Sequence, residues 1–253
     1  MTLTSRILRR EPDLALTLRE GGSGAPLLVL HGGAGPDSVT PIAEHYLDSH
    51  HVIVPTHPGW SNTVRPEWLT SVNSLACIYL DLLASYVGLA DQAGQGEVTV
   101  IGNSFGGWVA SEMAALRPTG LFSRLVLIDA IGPAIPGHAV AVPTPRSASA
   151  IDSPELTRGP SRSALTALHA YSRLDLQDPQ LLPRLASVQI PTLVVWGEHD
   201  PVVSPAFGRA YAEAFLNNRF EVIRGGGHIP TVEAPKATFA VIDEFLAEHD
   251  RPG

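Results

Sequence analysis

Apolar residues along the chain fall into two kinds of run. Short, branched, continuous runs bounded by Gly or Pro occupy residues 14–20 (LALTLRE), 26–32 (PLLVLHG), 51–56 (HVIVPT), 97–103 (EVTVIGN), 124–130 (RLVLIDA), 192–198 (TLVVWGE) and 220–226 (FEVIRGG). Such runs predict strands. Between them, residues 40–49, 70–90, 105–117, 205–217 and 235–248 space their apolar positions as amphipathic helices do. Alternation of the two predicts an α/β fold, a mainly parallel sheet with helices on both faces.

The rhythm lapses between Gly132 and Ile190. A Pro, Ala and Ser-rich segment comes first, then helical runs at about 161–174 and 178–187. The expected organisation is a core formed by residues 1–132 and 191–253, with residues 133–190 inserted as a short cap. That cap would lie over the carboxyl edge of the sheet, where open α/β folds bind ligands.

Composition narrows the function classes. The 253 residues, 44% of them hydrophobic, suffice for one large core with a modest insertion. A formal charge of −8, with no basic cluster beyond RILRR at residues 6–10, argues against nucleic acid as a partner. Cys77 is the only cysteine, which excludes an intrachain disulfide and a Cys-based zinc site; it is expected as a small buried residue of a helix. The N-terminal stretch has no continuous apolar segment of the signal-peptide kind, and no run reaches bilayer length. These features predict a soluble cytoplasmic protein without a membrane partner, and leave the oligomeric state open.

Four fragments at strand ends carry the chemistry. In VTVIGNSFGG, residues 98–107, Ser104 is flanked by Gly102 and Gly106. A strand-to-helix turn with a serine at its apex brings backbones too close for a Cβ at those flanks. LHGGAG closes the run at 26–32 and can aim the N–H of Gly33 into a site, where with the N–H of Phe105 it would form an oxyanion hole. WGEHDPVV offers Glu198, His199 and Asp200, and GGGHIPTVEAP offers His228. The order Ser104, Asp200, His228 is the serine, acid, histidine order of one fold class, and of neither chymotrypsin nor subtilisin.

With these fragments in that order over nearly its whole length, the chain resembles the α/β-hydrolases. In that family the acid of a WGxxD segment pairs with the histidine of a GHxxxxExP segment, which implies Asp200 and His228 as partners of Ser104. The family often carries Asp-x-Pro-Gly-x-Gly after its third core strand. THPGWSNT stands there in this chain, with Thr56 for the Asp and Ser61 for the second Gly. Some members place the acid at the end of the preceding strand, which keeps Asp129 as an alternative to Asp200. A serine at position 104 is not the Asp nucleophile of the dehalogenases and epoxide hydrolases.

Secondary roles remain open. His31 is expected to organise the Gly-rich turn and, with Trp60, is a candidate for substrate contact; Trp60 reads equally as core. Trp68 and Trp108 are candidates of the same kind, Trp108 read chiefly as packing. His57, His199 and Glu198 read as loop residues, and Arg158 and Arg173 as possible carboxylate binders. No metal-ligand spacing and no phosphate-binding fingerprint is present, so neither a metal nor a cofactor is expected. The resulting expectation is a serine hydrolase of small to medium apolar carboxylic esters or lactones, acting through an acyl-enzyme. Asn103 and HGG also resemble the meta-cleavage product hydrolases, which keeps carbon–carbon hydrolysis of a diketone acid as an alternative. A non-hydrolytic lyase or cyclase, or a ligand-binding receptor on the same fold, is the reading from another class.

Overall fold

A computed structural model describes residues 2–93, 98–116, 120–142, 159–172 and 174–249. The chain begins with the strands β1 (Thr4–Glu11), β2 (Leu14–Gly21) and β3 (Ala25–Leu30), followed by α1 (Thr40–Tyr46) and β4 (His50–Thr56). Next come α2 (Val72–Ala93), β5 (Thr99–Asn103), α3 (Phe105–Ala115) and β6 (Arg124–Ile128). The segment that follows holds β7 (Gly132–Pro133), α4 (Arg162–Tyr171), β8 (Gln177–Asp178) and α5 (Leu181–Leu185). β9 (Thr192–Gly197), α6 (Pro205–Ala212), β10 (Asn218–Ile223), α7 (Pro230–Glu233) and α8 (Pro235–His249) complete it.

Eight strands form one sheet in the order β1-β2-β4-β3-β5-β6-β9-β10. β1, β2 and β4 pair antiparallel, and every pairing from β4 to β10 is parallel. The chain steps from β3 to one side, to β4, and then crosses to the other side, to β5. This topological switch opens a crevice beyond the carboxyl ends of β3 and β5.

Strand side chains alternate between two cores. Leu28, Leu30, Val194 and Trp196 face α2, α3 and α6, whereas Leu27, Val29, Leu193 and Val195 face α1 and α8. On α2 the buried positions Val72, Leu75, Ala76, Tyr79, Leu82 and Leu83 follow helical spacing. Cys77 falls outside that stripe and is exposed, not buried as its residue type suggested. No described helix is long and apolar enough to cross a membrane.

The segment between β6 and β9 is tied to the rest of the fold by charge as well as by packing. Arg184 of α5 forks onto Glu112 of α3 at 2.6 and 2.8 Å and reaches Asp178 at 3.2 Å. Glu112 is 1% exposed, so the fork neutralises a carboxylate taken out of water. The short pairing of β7 with β8 lies in the stretch for which no strand was expected. β1 was also unexpected: all eight of its residues are exposed or half-exposed, so no apolar alternation marks it. Arg6 bonds to Glu20, and Arg10 to Asp81, along this edge.

Candidate active site

The catalytic candidates arise where strands stop. β5 runs into Ser104, which takes φ +52° and ψ −115° and then opens α3. A non-glycine residue in this region is strained, and the turn is held by the flanking glycines. A Cβ on Gly102 would meet the Gly106 carbonyl oxygen at 2.4 Å, and one on Gly106 would meet that of Leu30 at 2.2 Å. Only glycine fits either place, as the G-x-S-x-G spacing implied.

The structure brings Ser104, His228 and Asp200 together. Ser104 Oγ lies 2.9 Å from His228 Nε2, and His228 Nδ1 lies 2.8 Å from Asp200 Oδ2. Asp200 Oδ1 accepts the N–H groups of Val202 at 2.7 Å and Val203 at 3.2 Å, so both carboxylate oxygens are engaged. Trp196 Nε1 donates to the Val203 carbonyl at 2.9 Å and anchors the same loop. The His228 loop is held from α7, where Glu233 Oε2 accepts from Gly227 N and Ile229 N at 2.7 and 3.2 Å. With an ionised acid on Nδ1, His228 carries its proton there and Nε2 is free to accept from Ser104.

Asp129 does not contact His228 through a hydrogen bond; its Oδ1 accepts from Gly197 N at 2.8 Å. Glu198 is partly exposed and accepts from Gly225 N, and His199 is exposed beside it. Asp129, Asp200 and His228 are the grouping among the described residues whose donor atoms could share a cation, lying within 4.8 Å of one another. The direct acid–imidazole hydrogen bond within it is not the open cage of a metal site.

A chain of histidines fixes the Gly-rich turn. His57 N–H donates to His31 Nε2 at 3.0 Å, so the His31 proton resides on Nδ1, which donates to the Gly32 carbonyl at 2.7 Å. His57 Nε2 donates to the His31 carbonyl at 2.9 Å, and its Nδ1 accepts from the Tyr79 hydroxyl at 2.6 Å. Both rings are fully buried, and burial holds His31 well below the ordinary histidine range and pushes His57 down to about 3. They are neutral imidazoles at neutral pH. Gly35 N also donates to Gly32 O, at 3.1 Å. Because a trans peptide is planar, anchoring the Gly32 carbonyl on that side turns the Gly33 N–H to the opposite one.

His57 sits in the loop after β4, as read from sequence, and is fully buried there as the link from the turn to α2. Two expectations need correction. His31 and Trp60 do not line the cavity in front of Ser104: His31 is enclosed behind the turn, and Trp60 is 1% exposed, donating from Nε1 to the Gly33 carbonyl at 3.0 Å. Trp108 is core, and Trp68 is half-exposed and donates to Asp13. Ser61 takes φ +48°, so the position where the family pattern has glycine keeps glycine's conformation without its residue. Arg158 and Arg173 lie outside the described residues.

The cavity has a volume of about 210 Å³. Ser104, His228 and Glu233 meet its apolar wall, which includes Ile131, Leu168, Leu176 and Val202. Gly33 and Phe105 also line it, and Phe105 is the first residue of α3, whose N–H has no partner within the helix. Glu233 and Tyr79 had no assigned role from sequence. Glu233 stood inside the GGGHIPTVEAP fragment, but its backbone partners become visible only when the loop closes on itself.

Comparison with known proteins agrees with this architecture. Lipase 3 of Moraxella sp. (strain TA144) is 28% identical over 85% of this chain and 75% of its own length. The 2-hydroxy-6-oxononadienedioate/2-hydroxy-6-oxononatrienedioate hydrolase 2 of Pseudomonas putida is 26% identical over 96% of this chain and 95% of its own. Among solved structures, the N-acyl homoserine lactonase AidH complexed with N-butanoyl homoserine superimposes with a TM-score of 0.73 at 21% identity, covering 99% of this chain and 98% of that one. The model of the alpha/beta hydrolase family matches residues 27–241. With the strand order, the elbow and that match in agreement, the chain belongs to the alpha/beta hydrolase family and is a hydrolase.

Proposed function

We propose that this hydrolase cleaves neutral carboxylic esters or lactones of small to medium apolar substrates through an acyl-enzyme on Ser104. The observation that carries the reading is the array Ser104 Oγ, His228 Nε2, His228 Nδ1 and Asp200 Oδ2, linked at 2.9 and 2.8 Å at the wall of an apolar cavity. A serine hydroxyl is a weak nucleophile until a base takes its proton, and the base needs an orienting acid. As Oγ bonds to the acyl carbon, its proton passes to His228 Nε2, and Asp200 stabilises the imidazolium. The carbonyl π pair moves to oxygen, where the N–H groups of Gly33 and Phe105 receive the negative charge. His228 then returns the proton to the departing alkoxide as the carbon–oxygen bond breaks. Water, deprotonated by the same histidine, repeats the sequence on the acyl-enzyme and frees the acid.

Charge at the wall supports a neutral substrate. Among the described lining residues there is no Lys or Arg, and Glu233 contributes a carboxylate. A volume of about 210 Å³ lies under the roughly 300–1,000 Å³ of sites for drug-sized ligands, which suits a small or medium acyl group. The Pseudomonas putida relative favours a second reading, carbon–carbon hydrolysis of a diketone acid. Such a substrate brings carboxylates that this wall does not balance. The proposed cap, residues 133–190, contributes to the cavity lining among its described residues through Pro160, Leu168 and Leu176. The reading includes a cytoplasmic location, which the single exposed thiol of Cys77 suits.

The deciding experiment compares native protein with Ser104→Ala on a p-nitrophenyl ester series and on a dienoic diketone acid. Serine-dependent ester turnover with an optimum at short or medium chains is the expected result. Diketone cleavage without ester turnover would replace this reading by the second, and failure of a fluorophosphonate to label the native protein would overturn both.

A further inference from the structure

Asp129 is a buried carboxyl beside the Ser104, His228, Asp200 array that the mechanism above does not use. It is fully enclosed at the end of β6, where φ of +44° takes it out of the strand. Its Oδ1 accepts from Gly197 N at 2.8 Å, while its equally buried Oδ2 meets no donor. One oxygen of Asp129, one of Asp200 and a ring nitrogen of His228 lie within 4.8 Å of one another, and the Asp200 side chain is itself fully enclosed.

Double ionisation of two carboxyls this close and away from water is strongly disfavoured, so the pair holds a proton. The donors decide where. Asp200 receives three, from Val202 N, Val203 N and His228 Nδ1, whereas Asp129 receives one. The charged form follows the donors, which leaves the proton on Asp129. Placed on Oδ2, it also provides the partner that this oxygen lacks. The titratable groups facing Asp129 are Asp200 on the loop after β9, His228 on the loop after β10 and Glu233 on α7. Burial, reinforced by the negative charges of Asp200 and Glu233, raises the Asp129 carboxyl well above the ordinary carboxylate range.

We propose that Asp129 is a positioning residue, a neutral carboxylic acid that donates a hydrogen bond to Asp200, keeps the pair at one negative charge and thereby sets the basicity of His228. The statement about His228 rests on the proposed triad; the statement about the proton does not. Asp129→Asn preserves an amide donor toward Asp200 and an oxygen for Gly197, whereas Asp129→Ala removes both.

Two readouts test this. Infrared difference spectroscopy at pH 7 should show a protonated-carboxyl C=O stretch in the native protein that Asp129→Asn abolishes. The pH dependence of fluorophosphonate labelling should keep its acid limb within about 0.3 unit in Asp129→Asn. In Asp129→Ala the limb should rise by about half to one unit, because an Asp200 relieved of its donor stabilises the imidazolium more strongly. A purely structural Asp129 would lower the labelling rate without moving the limb. Absence of the band in native protein, or an equal limb shift in both variants, overturns the proposal. If Asp129→Ala does not fold, the infrared band and the Asp129→Asn profile still decide it. Failure to label native protein would remove the triad reading while leaving the infrared result to decide the proton.

Discussion

Replacing His31 by Ala separates the catalytic function proposed for the Gly-rich turn from its structural one. The substitution removes the Nδ1–H bond to Gly32 O at 2.7 Å and leaves His57 N–H, now at 3.0 Å from His31 Nε2, buried without an acceptor. An orphaned buried donor costs about 1–3 kcal/mol and the lost bond to the carbonyl about 1 kcal/mol more, so stability should fall by about 2–4 kcal/mol. The Gly32 carbonyl still accepts from Gly35 N at 3.1 Å, which restrains the Gly32–Gly33 peptide incompletely. Outright loss of one oxyanion donor lowers turnover by about 10² to 10³; a loosened peptide should lower it by about tenfold to a hundredfold. The assay is steady-state hydrolysis of the preferred p-nitrophenyl ester at a temperature where circular dichroism shows the variant folded, beside urea denaturation. The loss should fall on kcat, with KM little changed, because the donors act on charge that exists only in the transition state. A folded His31→Ala protein with native kcat, or with the whole loss in KM, would refute the argument from peptide geometry.

Two further outcomes follow from buried groups. Arg184→Ala leaves the carboxylate of Glu112 in the core with Asn73 as its remaining side-chain donor at 3.2 Å. It should destabilise the fold toward the lower end of the about 3–5 kcal/mol typical of a broken buried pair, since Arg184 is about a third exposed; a urea midpoint equal to that of native protein would contradict this. His57 has a folded pKa pushed down by burial to about 3, below its unfolded value of about 6.5. The stabilising contribution of the neutral ring is therefore complete above about pH 6.5 and declines as pH falls toward 3, by up to about 1.4 kcal/mol per unit. His57→Gln should lose less stability than native protein between pH 6.5 and 4.5 in urea titrations; parallel losses would place the acid sensitivity elsewhere.

The elements legible in sequence are those whose signal is local. A strand buried on both faces is a continuous apolar run, so β3, β5, β6 and β9 were visible, each ending within a few residues of its expected limit. β6 stops at Ile128 rather than Ala130 because Asp129 turns out of the ladder at φ +44°. β1 was invisible because neither of its faces is apolar. At the site, Ser104 announced itself through glycines two residues away on each side, and His228 through its place after the last strand. His57, Tyr79 and Glu233 could not be read that way. His57 depends on residues 26 and 22 positions away, and the sequence around it, THPGW, looks like any polar turn. Cys77 was misplaced because residue type is a weaker guide to burial than position on the helical stripe.

Ser104 and His228 meet across 124 residues of chain, and His228 hangs from β10, a strand that pairs with β9 alone. Contacts of such sequence separation form late in folding, and an edge strand is among the first to detach in a partial opening. The proposed base is therefore fastened to an edge of the sheet, while the proposed nucleophile stands at its centre. Under gentle denaturation this hydrolase would go silent while its core was still folded, so that activity reports the integrity of one edge and not of the whole.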